Sequence, residues 1–152
     1  MKTVKITSEG INHCAIDLGK FDELMDYSYM HPKRHTEVRG KQFVGEILKA
    51  SGSEISFTMI RPGTELPFLH QHHQHEEIYV IIKGSGQFQV DGSVFDVSEG
   101  SAIRVSPDGK RTYRNNSANP LIFMCIQCKA GSLEGFNVQD GFRSEGEIIW
   151  AK

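Results

Sequence analysis

Apolar and polar residues alternate along most of the chain from about residue 42 to about residue 127. Each alternating run is short and is bounded by Gly, Pro, Ser, Asn or Asp, which is typical of strands joined by tight turns. Asp91-Gly92 marks the clearest hairpin, because a type I′ turn needs positive φ at both central residues. The pattern predicts these strands: Phe43–Leu48, Ile55–Ile60, Glu77–Lys83, Gly86–Val90, Ser93–Val97, Ala102–Val105, Arg111–Asn115 and Leu121–Gln127.

These strands predict an all-β fold, a single-domain antiparallel β-barrel or sandwich, with one short N-terminal helix. The helix is expected at Phe21–Met30 with Asp22 as its cap, and Pro32 argues against its continuation. The predicted organisation is an N-terminal arm at 1–40, a barrel at 41–130 and a tail at 131–152 that packs on the barrel. The apolar segment Ile148–Trp150 is expected to hold that tail in place.

Composition narrows the class of protein. The chain has 152 residues, of which 38% are hydrophobic and 24% charged, and its formal net charge is -2. This near-neutral balance predicts neither a nucleic-acid partner nor a membrane partner, and no apolar run approaches the roughly 20 residues of a spanning helix. The first residues lack the apolar segment of a signal peptide. Cys14, Cys125 and Cys128 do not suggest a disulfide framework, so a cytoplasmic location is expected.

The segment Leu69–Glu77 reads L-H-Q-H-H-Q-H-E-E and holds four of the seven histidines. Imidazoles and carboxylates together bind Zn, Mn, Fe, Ni or Cu. On a strand, His70 and His72 would project to the same side with Cβ atoms roughly 7 Å apart, which suits one shared ion. The alternative is a polar surface loop that happens to be rich in histidine.

Gly63 to Gly84 resembles the first motif of the cupin superfamily: Gly, a spacer, His-x-His, four residues, Glu, six residues and Gly. His70, His72 and Glu77 fall on this motif, and only the spacer is one residue longer than usual. The resemblance implies a small β-barrel of the double-stranded β-helix kind. It also implies a divalent metal ion, Fe, Mn, Zn or Ni, bound by those three residues.

The second cupin motif is matched more loosely, and its histidine, normally the fourth metal ligand, is missing. If Asn115 is the asparagine of the motif, Arg111 occupies the position of the missing histidine. If the position is counted from Gly109 or from Asn116, Thr112 occupies it instead. The matching positions are Gly100, Pro107, Gly109 and either Asn115 or Asn116.

Two chemical outcomes follow from the missing histidine. The two-histidine, one-carboxylate set suffices for Fe(II) or Mn(II) with water at the open positions, and His75 is a candidate extra ligand. Alternatively, an inward Arg111 would weaken metal binding and pair with Glu77 or with a substrate carboxylate. Side chains alternate between the two faces of a strand, so Arg111 shares a face with Tyr113 and Thr112 shares the other face with Arg114. The sequence does not say which of these faces points into the barrel.

Two function hypotheses remain open. The first is a metal-dependent enzyme acting on a small molecule in the barrel interior, with Tyr79 or Arg111 orienting the substrate. Oxygenation, decarboxylation and isomerisation all occur in the resembled family. The second is a non-catalytic small-molecule-binding or sensor barrel without turnover. In either case a homodimer is expected, because small barrels expose strand edges and relatives commonly dimerise.

Overall fold

Strands dominate the structure, a computed structural model that describes residues 1–135 and 138–150. Twelve strands lie within these ranges. Four precede the predicted barrel: β1 (Lys5–Glu9), β2 (Cys14–Asp17), β3 (Ser28–Met30) and β4 (Glu37–Arg39). Four more lead to the first hairpin: β5 (Lys41–Phe43), β6 (Ser53–Ile60), β7 (His75–Lys83) and β8 (Ser85–Val90). The last four are β9 (Ser93–Ser98), β10 (Ala102–Val105), β11 (Arg111–Arg114) and β12 (Leu121–Lys129).

The strands form four antiparallel sheets. The largest has the order β10-β7-β12-β6-β5, and a second has the order β11-β8-β9. Two-stranded sheets, β1-β2 and β3-β4, belong to the N-terminal arm. The all-β antiparallel prediction is therefore confirmed.

The five-stranded sheet buries residues on both of its faces, as the continuous apolar sequence of β7 predicts. Its inner face meets the three-stranded sheet, and Tyr79 of the first packs against Phe88 of the second with ring centroids 5.0 Å apart. The inner cluster comprises Tyr79, Ile81, Phe88, Val97, Val105, Tyr113, Leu121, Phe123 and Cys125. The outer face packs against the N-terminal arm through Leu24, Tyr27, Met59 and Ile122.

The helix prediction was only partly right. A 3-10 helix spans Phe21–Asp26, after which Tyr27 is extended and β3 begins. The spacing of three residues between Phe21, Leu24 and Tyr27 explains this, because a helix with three residues per turn places all three on one face, and all three pack in the outer cluster. Asp22 does not cap the helix, and its carboxylate instead accepts from Lys83 Nζ at 2.7 Å.

The predicted strand Phe43–Leu48 was wrong beyond its first residue. β5 ends at Phe43, and residues 45–49 form a turn in which the Leu48 N–H donates to Val44 O at 2.9 Å. The Gly45 N–H donates to the Glu54 carboxylate at 2.8 Å, so a side chain supplies the acceptor that a strand partner would have offered.

The tail beyond β12 contains no regular secondary structure in its described part. Ile148, Ile149 and Trp150 are 79%, 79% and 83% exposed, so they do not hold the tail on the barrel within one chain as expected. The tail prediction extends to Lys152, and residues 136, 137, 151 and 152 lie outside the described residues. The division into arm, barrel and tail stays a prediction. The described part of the chain has no helix with the length and apolar character to cross a membrane.

Gly84 joins β7 to β8 in a conformation that only glycine tolerates there. Its φ is +83°, and an added Cβ would lie 2.2 Å from Pro120 O. Gly92 has a similar φ of +85° but open space around the position of a Cβ.

We predict that Gly92→Ala lowers the free energy of unfolding by about 1 kcal/mol, from backbone strain alone. Gly84→Ala should cost about 2 kcal/mol more, because backbone must also move.

Urea denaturation followed by circular dichroism measures both losses, with a common m-value as the check that the unfolding reaction is unchanged. Equal losses for Gly84→Ala and Gly92→Ala would show that close approach to Pro120 does not constrain the turn.

Candidate metal centre

The segment that carries His70 and His72 runs beside β11 rather than in a regular strand. The His70 N–H donates to Arg111 O at 3.1 Å, and the Arg111 N–H donates back to His70 O at 3.0 Å. Two residues later the His72 N–H donates to Pro107 O at 3.0 Å. These backbone bonds hold the two imidazoles side by side, with ring centroids 5.8 Å apart.

Glu77 meets both imidazoles from β7. His72 Nε2 lies 3.2 Å from Glu77 Oε1, and His70 Nε2 lies 3.6 Å from Glu77 Oε2. One ligand atom from each of the three residues lies within 4.8 Å of the other two. Ligand atoms bound to one ion at about 2.1 Å lie roughly 3 to 4 Å apart, so these side chains fit a shared divalent ion.

Arg111 points into the barrel and is completely buried. Its Nε donates to Glu77 Oε2 at 2.9 Å, and its Nη1 donates to Gly109 O at 2.7 Å. Its Nη2 is buried without a hydrogen-bond partner in the described residues. Thr112 faces the other way, and its hydroxyl donates to Leu66 O at 2.6 Å. Arg111 therefore stands on the inner side, where the second motif normally supplies a histidine.

Tyr79, two residues after Glu77 on the same face of β7, also contacts the carboxylate. Its hydroxyl donates to Glu77 Oε2 at 2.5 Å, and the residue is only 2% exposed. Burial and the adjacent charge of Glu77 raise the pKa of Tyr79, so the phenol stays neutral and remains a donor. Tyr79 and Arg111, expected to orient a substrate, both contact Glu77 in this structure.

Opposing effects act on the ionisation of Glu77. Burial alone would raise the pKa of this carboxyl group. Hydrogen bonds from His70 and Tyr79, together with electrostatic interactions with His72 and Arg111, outweigh burial and hold the pKa of Glu77 well below its usual range. Glu77 is therefore an anion at neutral pH, as a metal ligand must be.

Gln127 is a neighbour of the candidate ligands that the sequence did not reveal. It pairs with Glu77 in the β7–β12 ladder, and its side-chain amide lies 2.9 Å from His72 Nδ1. A flip of the side-chain amide exchanges its nitrogen and oxygen. With the amide oxygen toward His72, Nδ1 carries the proton and donates it to that oxygen, so Nε2 presents its lone pair to an ion. Burial lowers the pKa of His72, which favours the neutral ring that metal binding requires. A polar residue at the end of the apolar run of β12 was the available signal.

His75 is not part of this group. It is exposed at the first residue of β7 and pairs with Lys129 in the ladder. The strand reaches back to His75, so alternation puts that residue on the same side of β7 as Glu77 but at the exposed end. The metal-ligand group that the structure assembles is His70, His72 and Glu77.

A cavity of about 560 Å³ opens next to this centre but does not include the three residues. It lies between the segment 65–69 and the three-stranded sheet, with Tyr113 and Arg114 among its lining residues. The ring of Phe68, which also lines it, lies 6.3 Å from the ring of His70. The imidazoles themselves are 28% and 26% exposed, so the metal centre is accessible from outside.

Comparisons with known proteins agree with the fold described above. The family model described as Cupin domain matches residues 56–127, which contain every residue of the centre named above. A cupin protein of known structure from Bacteroides fragilis is 39% identical, covering 69% of this chain and 89% of that one, with a TM-score of 0.66.

Two other matches are more distant. A predicted oxalate decarboxylase from Thermotoga maritima is 18% identical, with a TM-score of 0.58 over 72% of this chain and 96% of that one. This likeness shows the fold alone. An uncharacterized protein from Methanocaldococcus jannaschii is 29% identical over 96 residues, 63% of this chain. The match spans 66% of that relative's length.

The ion pair between Arg111 and Glu77 gives a testable energetic coupling. Arg111→Met should lower the free energy of unfolding by about 3 kcal/mol or more, because Glu77 is left as a buried charge without its cation. Glu77→Gln should also destabilise, for the converse reason. The double variant should lose less than the sum of the two, with a coupling of at least about 1 kcal/mol.

Chemical denaturation in the presence of a chelator measures this cycle without any contribution from metal. Arg114→Met is the matched control, because Arg114 is exposed on the same strand and contacts Gln87, so its loss should be within about 0.5 kcal/mol. Additive losses in the cycle would show that Arg111 does not stabilise the Glu77 charge.

Proposed function

The chain belongs to the cupin superfamily, and from that premise we propose that it binds one divalent metal ion and acts on, or binds, a small molecule in the barrel interior. The ligands of the ion are His70, His72 and Glu77. The observation that carries the proposal is the convergence of their three ligand atoms within 4.8 Å, although the residues come from separate segments.

The ligand set favours Fe, Mn, Zn or Ni. Two imidazoles and one carboxylate leave coordination positions open, as in sites that bind a substrate at the ion. Thiolate coordination is disfavoured, because burial raises the pKa of the nearest thiol, Cys125, to about 12 and keeps it protonated. When bound, such an ion polarises a substrate oxygen or accepts a ligand at its open position.

The surrounding residues support this chemistry by fixing Glu77 and His72. Arg111 and Tyr79 both donate to Glu77 Oε2, which leaves Oε1 facing His72. Gln127 fixes the ring of His72 from its other nitrogen. Glu77 and His72 thus each have an orienting partner, which is the arrangement that fixes the geometry and tautomer of a metal ligand. His70 Nδ1 is buried without a hydrogen-bond partner in the described residues.

The alternative is a cupin that binds a small molecule without turnover, and the position of Arg111 favours it. A fixed positive charge beside Glu77 repels a second cation at the same carboxylate, and Arg111 stands where the fourth ligand is normally found. Oxygenase, isomerase and decarboxylase activities are the candidate reactions of the enzymatic reading, and a substrate screen on metal-loaded protein separates the two readings.

Two further parts of the proposal concern the setting of the protein. It forms a homodimer, because β5 and β10 are open edges of the large sheet, and an apolar tail end stays exposed. Light scattering at micromolar concentration tests this, and a monomer contradicts it.

A cytoplasmic location is proposed from the three free cysteines, Cys14, Cys125 and Cys128, which suit a reducing compartment.

Elemental analysis of protein purified without an affinity tag tests the metal site. Wild type should carry about one divalent ion per chain, and His72→Ala should lower its affinity at least about tenfold, since one of three protein ligands is lost. His75→Ala is the matched control, because this exposed histidine in the same segment contacts none of the ligands. Wild-type protein that stays metal-free after incubation with Fe, Mn, Zn and Ni would refute the proposal.

A further inference from the structure

Lys41 lies on the inner face of the large sheet. It pairs with Thr58 of β6, Thr58 pairs with Phe123 of β12, and Phe123 pairs with Ile81 of β7. Directly paired residues project to the same side of a sheet. Thr58, Phe123 and Ile81 are 4%, 1% and 2% exposed, and the last two belong to the inner cluster. The register therefore places the side chain of Lys41 on the face that lines the interior.

The Lys41 ammonium reaches toward the metal end of the barrel. Its Nζ lies 4.7 Å from the centroid of the Phe43 ring. Phe43 begins the next inward row of the sheet, which continues through Ser56 and Cys125 to Tyr79. The row after that contains Glu77, and the Lys41 ammonium interacts electrostatically with both Cys125 and Glu77.

No carboxylate contacts this ammonium. Within residues 1–135 and 138–150, Lys41 makes no ion pair and no hydrogen bond through its side chain, apart from its contact with the Phe43 ring. Glu54 shares the inner face, but its carboxylate accepts from the backbone N–H groups of Gly45 and Ile55 instead. Burial lowers the pKa of Lys41, which agrees with an ammonium that has lost much of its water.

Three other buried polar atoms lack a hydrogen-bond partner within the described residues. They are Thr58 Oγ1, which neighbours Lys41 in the ladder, His70 Nδ1 and Arg111 Nη2. A buried donor without a partner destabilises the protein, because it has lost its hydrogen bonds to water. An anion with two acceptor oxygens would satisfy the ammonium together with the threonine hydroxyl, and Lys41 would gain its missing counter-charge.

We propose that Lys41 and Thr58 form a binding site for the carboxylate group of a small organic acid inside the barrel. The carboxylate accepts from Lys41 Nζ and Thr58 Oγ1, and the remainder of the acid extends toward His70, His72 and Glu77. This proposal deepens the proposed function by naming the class of substrate. The carboxylate site itself does not depend on the proposed function, whereas the approach of the acid to the metal centre rests on it.

The test measures binding of propionate and benzoate, each against its neutral amide, to the full chain in the presence of a chelator. Isothermal titration and thermal unfolding provide the readouts. Wild type should bind the carboxylates and be stabilised by them, while propionamide and benzamide bind at least about tenfold more weakly, because a charged hydrogen bond is lost.

Variants assign the preference to particular residues. Lys41→Met should weaken carboxylate binding at least about tenfold, Lys41→Arg should retain it within about threefold, and Thr58→Val should weaken it a few-fold. Lys5→Met removes one charge from the exposed strand β1 and should change nothing. Lys41→Met breaks no ion pair or hydrogen bond of the described residues, so the unliganded variant should fold and remain a valid test.

The outcomes separate this site from the metal site. Equal binding of acids and amides, an unchanged preference in Lys41→Met, or no binding of either acid to wild type overturns the carboxylate site. Carboxylate binding that depends on Lys41, in a protein that takes up no metal, supports the site and refutes only the proposed metal function. Loss of metal in His72→Ala with unchanged carboxylate binding supports both.

Discussion

A buried carboxylate at the head of the central strand determines how this barrel is built. Glu77 is 7% exposed, and an ionised carboxylate in such a place needs cations and donors that repay its lost hydration. Arg111, Tyr79, His70 and His72 supply them from three segments of the chain. Two of the groups that make Glu77 compatible with folding, His70 and His72, are also the imidazoles that could hold a metal ion together with it.

The two oxygens of Glu77 have different partners. Oε2 accepts from Arg111 and Tyr79, whereas Oε1 faces His72 and the Cys125 thiol. An ion that binds at Oε1 can share the carboxylate with Arg111 rather than displace it. The missing second-motif histidine thus leaves the centre with one fewer ligand and a fixed cation, and both consequences favour weaker metal binding than a four-ligand site.

The fold was predictable from sequence where alternation was long and turns were marked. Ala102–Val105 matches β10, and the Asp91-Gly92 turn lies between β8 and β9 as predicted. The arm was not predictable, because three-residue strands such as Ser28–Met30 are too short to show a period. Its 3-10 helix follows from burial of one face against the barrel, which is a tertiary effect.

At the site, spacing identified His70, His72 and Glu77 because the motif fixes residue type and separation together. The direction of the Arg111 side chain could not be predicted. Alternation shows which residues of a strand share a face, but it does not show which face points into the barrel. Gln127 was missed for a related reason. Its role depends on the register between β7 and β12, which places it opposite Glu77 and beside His72, and register between strands distant in sequence is not visible in one chain.

Two cations face the same interior from opposite sheets, and their surroundings give them different roles. Arg111 has a carboxylate and a backbone carbonyl within hydrogen-bond distance, so its charge is already used by the fold. Among the residues that the structure describes, the Lys41 side chain contacts the Phe43 ring and makes no ion pair or hydrogen bond. A partly buried ammonium without a counter-charge has lost part of its hydration, and an anion that binds beside it compensates for that loss. A charge left unpaired by the fold is thus available to a ligand, and the barrel interior is suited to a molecule that carries a negative group.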